Sequence, residues 1–135
     1  MRKGKDRKEY ATLILAAGKG TRMKSERAKV LHPVCGRPML DYVVGVAREI
    51  GSLKIGVIIG HQADLIRQTY RDQGLTFILQ KKQLGTGHAA MQAKNELAEY
   101  PGLTVILCGD VPLLQPATIR NLLVKHAASG AKITV

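Results

Sequence analysis

Aromatic residues and cysteines are scarce in this chain of 135 residues, and their scarcity excludes several kinds of site. There is no Trp, and aromatic residues make up 4% of the sequence, which is too few for the stacking platforms that hold single-stranded nucleic acid. The two cysteines, Cys35 and Cys108, form no C-x-x-C pair, so the common zinc spacings are absent. Both lie in apolar stretches, and we expect buried, free thiols in a reducing cytosol.

Long hydrophobic runs are also missing. The first apolar run, ATLILAA, follows a leader that contains Asp6 and Glu9. The run is far shorter than the roughly 20 residues that cross a bilayer. A secretory signal peptide usually has a longer apolar region and a leader without acidic residues. We therefore expect residues 1–10 to form a disordered basic leader, and the protein to be cytoplasmic with no membrane partner.

Positive charge is abundant but unevenly distributed. The net charge is +11, and residues 1–29 contain ten Lys and Arg against three Asp and Glu. A basic domain often binds nucleic acid. Here the charge is gathered in the leader and one loop, which suits a small polyanion better than an extended groove, and no helix-turn-helix pattern is present. We expect no nucleic-acid partner. The alternative is a non-catalytic nucleotide-binding or interaction module whose leader docks on nucleic acid.

Short apolar runs alternate with amphipathic segments along the chain. The apolar runs, which predict strands, are residues 11–16, 54–60, 75–80, 103–109 and 131–135. The segments with helical spacing are residues 38–51, 62–74, 87–100 and 115–130. Continuous apolar strands that alternate with helices are typical of a mostly parallel sheet covered on both faces. The pattern predicts one α/β domain over residues 11–135, a three-layer Rossmann-like sheet whose strand order starts 3-2-1-4 and which is cut short after the fifth strand.

The loop after the first strand has the chemistry of an anion site. In open α/β sheets, ligands bind beyond the carboxyl ends of the strands. Gly18 and Gly20 allow backbone N–H groups to approach an anion, and Arg22 and Lys29 supply positive charge. The P-loop pattern is absent, and Met23 stands where a dinucleotide-binding loop has its third glycine. The alternative is a solvated turn that requires glycine.

Two further strand-end loops contain polar residues with matching chemistry. Asp110 directly follows the fourth strand, where a carboxylate can hold Mg²⁺ against phosphate oxygens. The alternative is that Asp110 caps a turn before Pro112. Gln80 and Gln83 carry amides that can recognise a nucleobase edge through both a donor and an acceptor, and Thr86 suits a helix cap. The four histidines show no metal or triad spacing, so we expect structural or surface roles for them.

Together, "LAAGKGTRMKS", "QKKQLGTGHA" and "GDVPL" closely resemble the uridylyltransferase domain of the bacterial N-acetylglucosamine-1-phosphate uridylyltransferase family, over roughly residues 11–135. In its usual form that enzyme also carries a glucosamine-1-phosphate acetyltransferase domain. The resemblance implies uridylyl transfer from UTP to N-acetylglucosamine 1-phosphate with Mg²⁺, which yields UDP-N-acetylglucosamine and pyrophosphate for cell-wall precursor synthesis. A nucleotidyltransferase for another sugar phosphate is the alternative, because the first motif is shared across the wider group.

The resemblance also implies roles for individual residues. It makes Arg22 and Lys29 the catalytic residues, which act on the triphosphate, and Asp110 the metal ligand. Gln80 would recognise uracil, and Cys108 would lie near the ribose. Loop chemistry and resemblance together predict the nucleotide-binding residues Leu15, Ala16, Ala17, Gly18, Gly20, Lys29, Gln80, Gln83, Gly85, Thr86, Cys108, Gly109 and Asp110.

The chain departs from the family pattern in two respects. Ala28 stands where the family usually has proline, directly before Lys29. In the family, the acceptor-sugar pocket, the second metal ligand and the trimer-forming β-helix come after the region matched by residues 11–135. The resemblance therefore implies that this chain carries only the nucleotide half-site, is inactive or weakly active alone, and comes from a homotrimeric parent. We also expect self-association through a sheet edge exposed at residues 131–135.

Overall fold

A computed structural model describes residues 9–135, so most of the predicted leader, residues 1–8, lies outside the described residues. Its centre is a four-stranded sheet. The strands are β1 (Tyr10–Ala16), β2 (Lys54–Ile59), β3 (Thr76–Leu79) and β4 (Leu103–Cys108). They lie in the order β3-β2-β1-β4, and every neighbouring pair is parallel. The strand order reverses at β1, so the crevice expected at such a switch point lies between the carboxyl ends of β1 and β4.

Helices cover both faces of this sheet, which confirms the predicted α/β class. They are α1 (Met39–Glu49), α2 (Ala63–Tyr70), α3 (Thr86–Met91), α4 (Lys94–Leu97) and α5 (Pro116–Ser129). Side chains of α1, α2 and α5 share one core cluster, whereas Ala89 of α3 and the adjoining Ala93 belong to the other. No helix in the described part of the chain is both long enough and apolar enough to span a bilayer.

The two central strands are mostly apolar because both of their faces are buried. Ile14 and Ile59 pack in the larger cluster, and Leu13 and Ile58 pack in the smaller one. Each such side chain, when fully buried, contributes roughly 1.5–3 kcal/mol through the hydrophobic effect. Strands of this kind need no alternation of polar and apolar residues, which is why a continuous apolar run predicts them.

A buried polar contact joins α1 to α2 within the larger cluster. The hydroxyl of Tyr70, which is 1% exposed, donates a hydrogen bond to the carboxylate of Asp41. Burial, and secondarily this hydrogen bond, raises the pKa of Tyr70 well above its ordinary value. The phenol therefore keeps its proton to a higher pH than an exposed tyrosine would.

The prediction of one continuous helix over residues 87–100 is wrong. The segment is divided into α3 and α4 by Gln92 and Ala93, where the backbone bonds tighten to a three-residue spacing. Ala93 is fully buried in the smaller cluster beside Leu13 and Ile58. Ala89, four residues earlier, is buried in the same cluster, so the two alanines together pack this segment against the sheet.

The strand predicted at residues 131–135 is also wrong. These residues are irregular in the structure, and Ile133 is 81% exposed. A strand needs a partner for its backbone hydrogen bonds, and β4 pairs only with β1 within residues 9–135. Instead, Thr134 lies against α5, with its hydroxyl 2.8 Å from Nδ1 of His126. Within residues 9–135 the sheet has two edge strands, β3 and β4, and Ile106 of β4 is 52% exposed.

Both cysteines are free, as expected, but the prediction that they are buried is wrong. Cys35 and Gly36 form the two-residue turn of a minimal hairpin between Pro33–Val34 and Arg37–Pro38, and both have positive φ. Such turns protrude into solvent. Cys108 is the last residue of β4 and is exposed on the uncovered side of this edge strand.

Candidate functional site

A cavity of about 280 Å³ opens at the carboxyl ends of β1, β3 and β4. Most of the residues predicted from the sequence line it together. These are Leu15, Ala16, Ala17, Gly18, Lys29, Gln80, Gln83, Gly85, Thr86, Cys108 and Asp110. Val30 and Ala89, which the sequence analysis did not select, complete the lining. Apolar walls with a few convergent polar groups are the usual make-up of a small-molecule site.

Gly20 lies behind the cavity wall rather than in it. Its φ of 62° is in the left-handed region, and a Cβ added there would lie 2.7 Å from Cβ of Lys29. Arg22, two residues later, is exposed on the short 3₁₀ turn Thr21–Met23 and does not line the cavity. Gly20 therefore leaves room for the stem of Lys29, and the nearest predicted cation to the cavity is Lys29.

Gly109 does not line the cavity, although it is close to two residues that do, Leu15 and Val30. Its N–H donates to the carbonyl oxygen of Leu15 at 2.9 Å. An added Cβ would lie 3.1 Å from that same oxygen and 3.2 Å from Cγ1 of Val30. The absence of a side chain lets the end of β4 stay close to β1, which sets the position of the next residue, Asp110.

Lys29 and Asp110 form an ion pair at the edge of the cavity. Nζ of Lys29 lies 2.5 Å from Oδ2 of Asp110, and the two side chains are 40% and 31% exposed. The pair joins loops that are 81 residues apart in the sequence. The carboxylate therefore lies on the same side of the sheet as the glycine loop, facing a cation rather than capping its own turn.

The surroundings of Asp110 are compatible with one type of metal site. The described residues contain no group of three or more His, Cys, Asp or Glu side chains that could hold a metal. Mg²⁺ commonly binds through one or two carboxylates and completes its coordination with water and substrate phosphates. A single carboxylate at the edge of a cavity fits that arrangement, and it does not fit a zinc or calcium cage made by protein alone.

Gln62 supports the loop that carries Lys29. Its side-chain Oε1 accepts a hydrogen bond of 2.6 Å from the backbone N–H of Ala28, which is fully buried. Gln62 itself has a φ of 52°, unusual for a residue other than glycine. Nothing in the sequence indicates this contact, because Ala28 and Gln62 are 34 residues apart.

Gln80 is one of two buried polar residues in the described chain, at 3% exposure. Its Nε2 lies 3.3 Å from the carbonyl oxygen of Gly85 and 2.9 Å from Nδ1 of His88. Gln83 lies beside it, with Nε2 3.4 Å from the backbone oxygen of Gln80. The sequence analysis gave His88 no place in the site, since only the first turn of α3 brings its ring back onto Gln80.

Residues 12–135 match the MobA-like NTP transferase domain. The chain belongs to this family. Two curated relatives are each described as bifunctional protein GlmU. The one from Trichlorobacter lovleyi is 52% identical over 126 residues, 93% of this chain and 27% of the relative. The one from Geobacter metallireducens is 48% identical over 128 residues, 94% of this chain and 27% of the relative.

The match covers the N-terminal nucleotidyltransferase domain of the GlmU proteins, which confirms the resemblance derived from the three motifs. The chain spans about a quarter of the length of these relatives. Among solved structures, UDP-glucose pyrophosphorylase from Acinetobacter baumanii superposes with a TM-score of 0.74 at 20% identity. The superposition covers 91% of this chain and 54% of that one, so the two share a fold. The family match identifies the chain as an NTP transferase domain.

Proposed function

We propose that this chain provides the UTP-binding half-site for the synthesis of UDP-N-acetylglucosamine from UTP and N-acetylglucosamine 1-phosphate. The supporting observation is the cavity at the switch point, where Lys29, Asp110 and Gln80 come together from three separate loops. A lysine ammonium suits phosphate, an aspartate carboxylate suits a divalent metal, and a glutamine amide suits the edge of a nucleobase. The transfer itself is proposed for a longer protein, because the GlmU relatives are nearly four times as long as this chain.

In the proposed reaction a phosphate oxygen of the sugar phosphate attacks the α-phosphorus of UTP. The bond from that phosphorus to the bridging oxygen of the β-phosphate breaks, and pyrophosphate leaves with the electron pair. No covalent intermediate with the protein is needed. The protein's task is to align two anions and to neutralise the charge that builds up between them.

Lys29 and the backbone of the glycine loop are suited to that task. Lys29 lines the cavity together with Gly18. Gly18 belongs to a loop whose backbone N–H groups can approach phosphate closely. We assign Lys29 to the triphosphate, and Arg22 to its outer end, since Arg22 follows in the same loop but lies outside the lining. When bound, Mg²⁺ would add positive charge to the phosphate oxygens, and Asp110 is the residue that would hold it.

The first prediction tests this assignment with Asp110→Ala. Isothermal titration calorimetry is expected to show that the parent binds UTP in the presence of MgCl₂. With EDTA in place of MgCl₂, the affinity for UTP is expected to be at least about tenfold lower. Asp110→Ala should bind with the weaker constant in either condition, because the metal has lost its protein ligand. Asp72→Ala is the matched control, since Asp72 is an 86% exposed aspartate that forms an ion pair with its neighbour Arg71.

Equal Mg²⁺-dependent affinity in Asp110→Ala and the parent would contradict the metal assignment. Failure of the parent to bind any nucleoside triphosphate would contradict the proposed function as a whole. Mixing the chain with UTP and N-acetylglucosamine 1-phosphate is expected to give little UDP-N-acetylglucosamine, and rapid product formation would show that the half-site interpretation is wrong.

A further inference from the structure

The orientation of the Gln80 amide is fixed by two neighbours. Nε2 of Gln80 lies 3.3 Å from the carbonyl oxygen of Gly85, and a carbonyl can only accept a hydrogen bond. The amide must therefore turn its NH₂ group toward Gly85. The same nitrogen lies 2.9 Å from Nδ1 of His88, which must then accept as well. A neutral imidazole that accepts at Nδ1 carries its proton on Nε2.

A competing arrangement comes from Gln92. Its Nε2 donates to the backbone oxygen of His88 at 3.0 Å and lies 3.3 Å from Nε2 of the same histidine. If His88 accepted there, its proton would be on Nδ1. The Gln80 amide would then have to turn its oxygen toward both Nδ1 and the Gly85 carbonyl, which would leave two oxygens facing each other in a buried position.

The first arrangement is favoured because the two glutamines differ in burial. Gln80 is 3% exposed and cannot exchange a lost partner for water. Gln92 is only half-buried, so its amide can turn toward solvent at little cost. The contact from His88 to Gln80 is also the shorter one, at 2.9 Å against 3.3 Å.

With its NH₂ group occupied, the Gln80 amide keeps its oxygen available to accept a hydrogen bond from a ligand in the cavity that Gln80 lines. Within residues 9–135 no protein donor bonds to this oxygen, although Gln80 lines the cavity with Gly85 and Thr86. The cavity thus offers a hydrogen-bond acceptor to a nucleobase. Uracil has an N–H at ring position 3, whereas cytosine has a lone pair there and would place two acceptors together.

We propose that His88 is a specificity-determining residue, which touches neither base nor phosphate and makes the cavity prefer UTP to CTP by holding the Gln80 amide in one orientation. The inference rests on the proposed function and adds to it the atom by which the base is recognised. It also explains why a half-buried histidine lies at the first turn of α3, pointing back at the loop after β3.

The test compares UTP with CTP, each titrated with MgCl₂ against the intact chain. We expect the parent to bind UTP about tenfold or more tightly than CTP, because the wrong base leaves a buried acceptor unpaired. His88→Ala frees the amide, and the ratio should fall to within about threefold. His88→Asn places an oxygen acceptor near the position of Nδ1 and should restore most of the preference. Gln92→Ala is the matched control and should keep it.

A second measurement does not depend on any variant folding. Nitrogen-15 NMR of the parent should show His88 protonated on Nε2 and bare at Nδ1, and the opposite tautomer would overturn the inference. An unchanged ratio of UTP to CTP affinity in His88→Ala would also overturn the inference. In that case the proposed function would still hold, provided that the parent binds UTP. Absence of nucleotide binding by the parent would instead remove the proposed function, and this inference with it.

Discussion

At the scale of single residues, two glycines set the positions of the charged side chains of Lys29 and Asp110. Gly20 allows the stem of Lys29 to pass within van der Waals distance of the loop backbone, and Gly109 allows β4 to end against β1, just before Asp110. The 2.5 Å contact between Lys29 and Asp110 depends on both close approaches. Neither glycine needs to touch a ligand to matter for binding.

The second prediction concerns Gly20→Ala. The new methyl group would collide with Cβ of Lys29 and also require a positive φ. We expect a loss of about 1–3 kcal/mol in unfolding free energy and weaker binding of UTP with Mg²⁺. Gly74→Ala is the matched control, because Gly74 has a φ of 67° but nothing within 4 Å of an added Cβ. Urea unfolding and titration of both variants provide the check.

Gly74→Ala should lose stability through backbone strain and keep the affinity of the parent for UTP. If Gly20→Ala also kept that affinity, the close approach of Gly20 would have no influence on Lys29, and the argument for its role would fail.

At the scale of elements, the site is assembled by contacts between loops that belong to different strands. Gln62, directly before α2, accepts from the N–H of Ala28, and the N–H of His61 donates to the carbonyl of Ala17 at 3.3 Å. These contacts hold the end of β2 against the two segments that line the cavity. The N–H of Ala28 is available because alanine, unlike proline, has a backbone donor.

The third prediction is a double-mutant cycle on this contact. Gln62→Ala leaves a buried N–H unpaired and should lower the unfolding free energy by about 1–3 kcal/mol. Ala28→Pro deletes the same donor, and the φ of −51° at this position suits proline. In the Ala28→Pro background Gln62→Ala should therefore have almost no further effect. Gln68→Ala, an exposed glutamine on α2, is the control.

Additive losses in the double variant would show that Gln62 stabilises the protein by some other contact. A stability of Gln62→Ala equal to that of Gln68→Ala would show that the 2.6 Å hydrogen bond makes no measurable contribution.

The sequence predicts the elements and the loops of this site much better than its side-chain contacts. β1 and β2 are evident because their apolar runs are continuous, and the three loops follow because parallel strands end at one edge. His88 and Gln62 are not evident, because their contacts with Gln80 and Ala28 exist only once the loops have folded. Cys108 was expected to be buried because its neighbours are apolar, but β4 is an edge strand with one uncovered face.

At the scale of the whole molecule, one exposed feature is β4, one of the two edge strands of the sheet within residues 9–135. Along β4, Thr104, Ile106 and Cys108 are exposed while the residues between them are buried. An apolar edge strand without a neighbour is a template for pairing with another chain. The residues expected to form that edge from the sequence, 131–135, lie outside the sheet.

The fourth prediction places self-association at β4. Light scattering of the parent should show a concentration-dependent increase in mass, and Ile106→Lys should reduce it, because a charged residue on an edge strand opposes pairing. Ile133→Lys is the matched control: Ile133 is even more exposed, at 81%, but belongs to no strand. A monomeric parent at high concentration, or equal effects of the two lysines, would be the contrary result.

The contact between Lys29 and Asp110 has a consequence for which ligands the cavity can bind. Its two formal charges already cancel, so a lone anion would have to compete with the aspartate for the ammonium group. A lone cation would have to compete with the ammonium group of Lys29 for the carboxylate of Asp110. A ligand that has both a positive and a negative group can replace both partners of the ion pair at once, with its anion on Lys29 and its cation on Asp110. A nucleoside triphosphate chelated to a divalent ion is such a ligand.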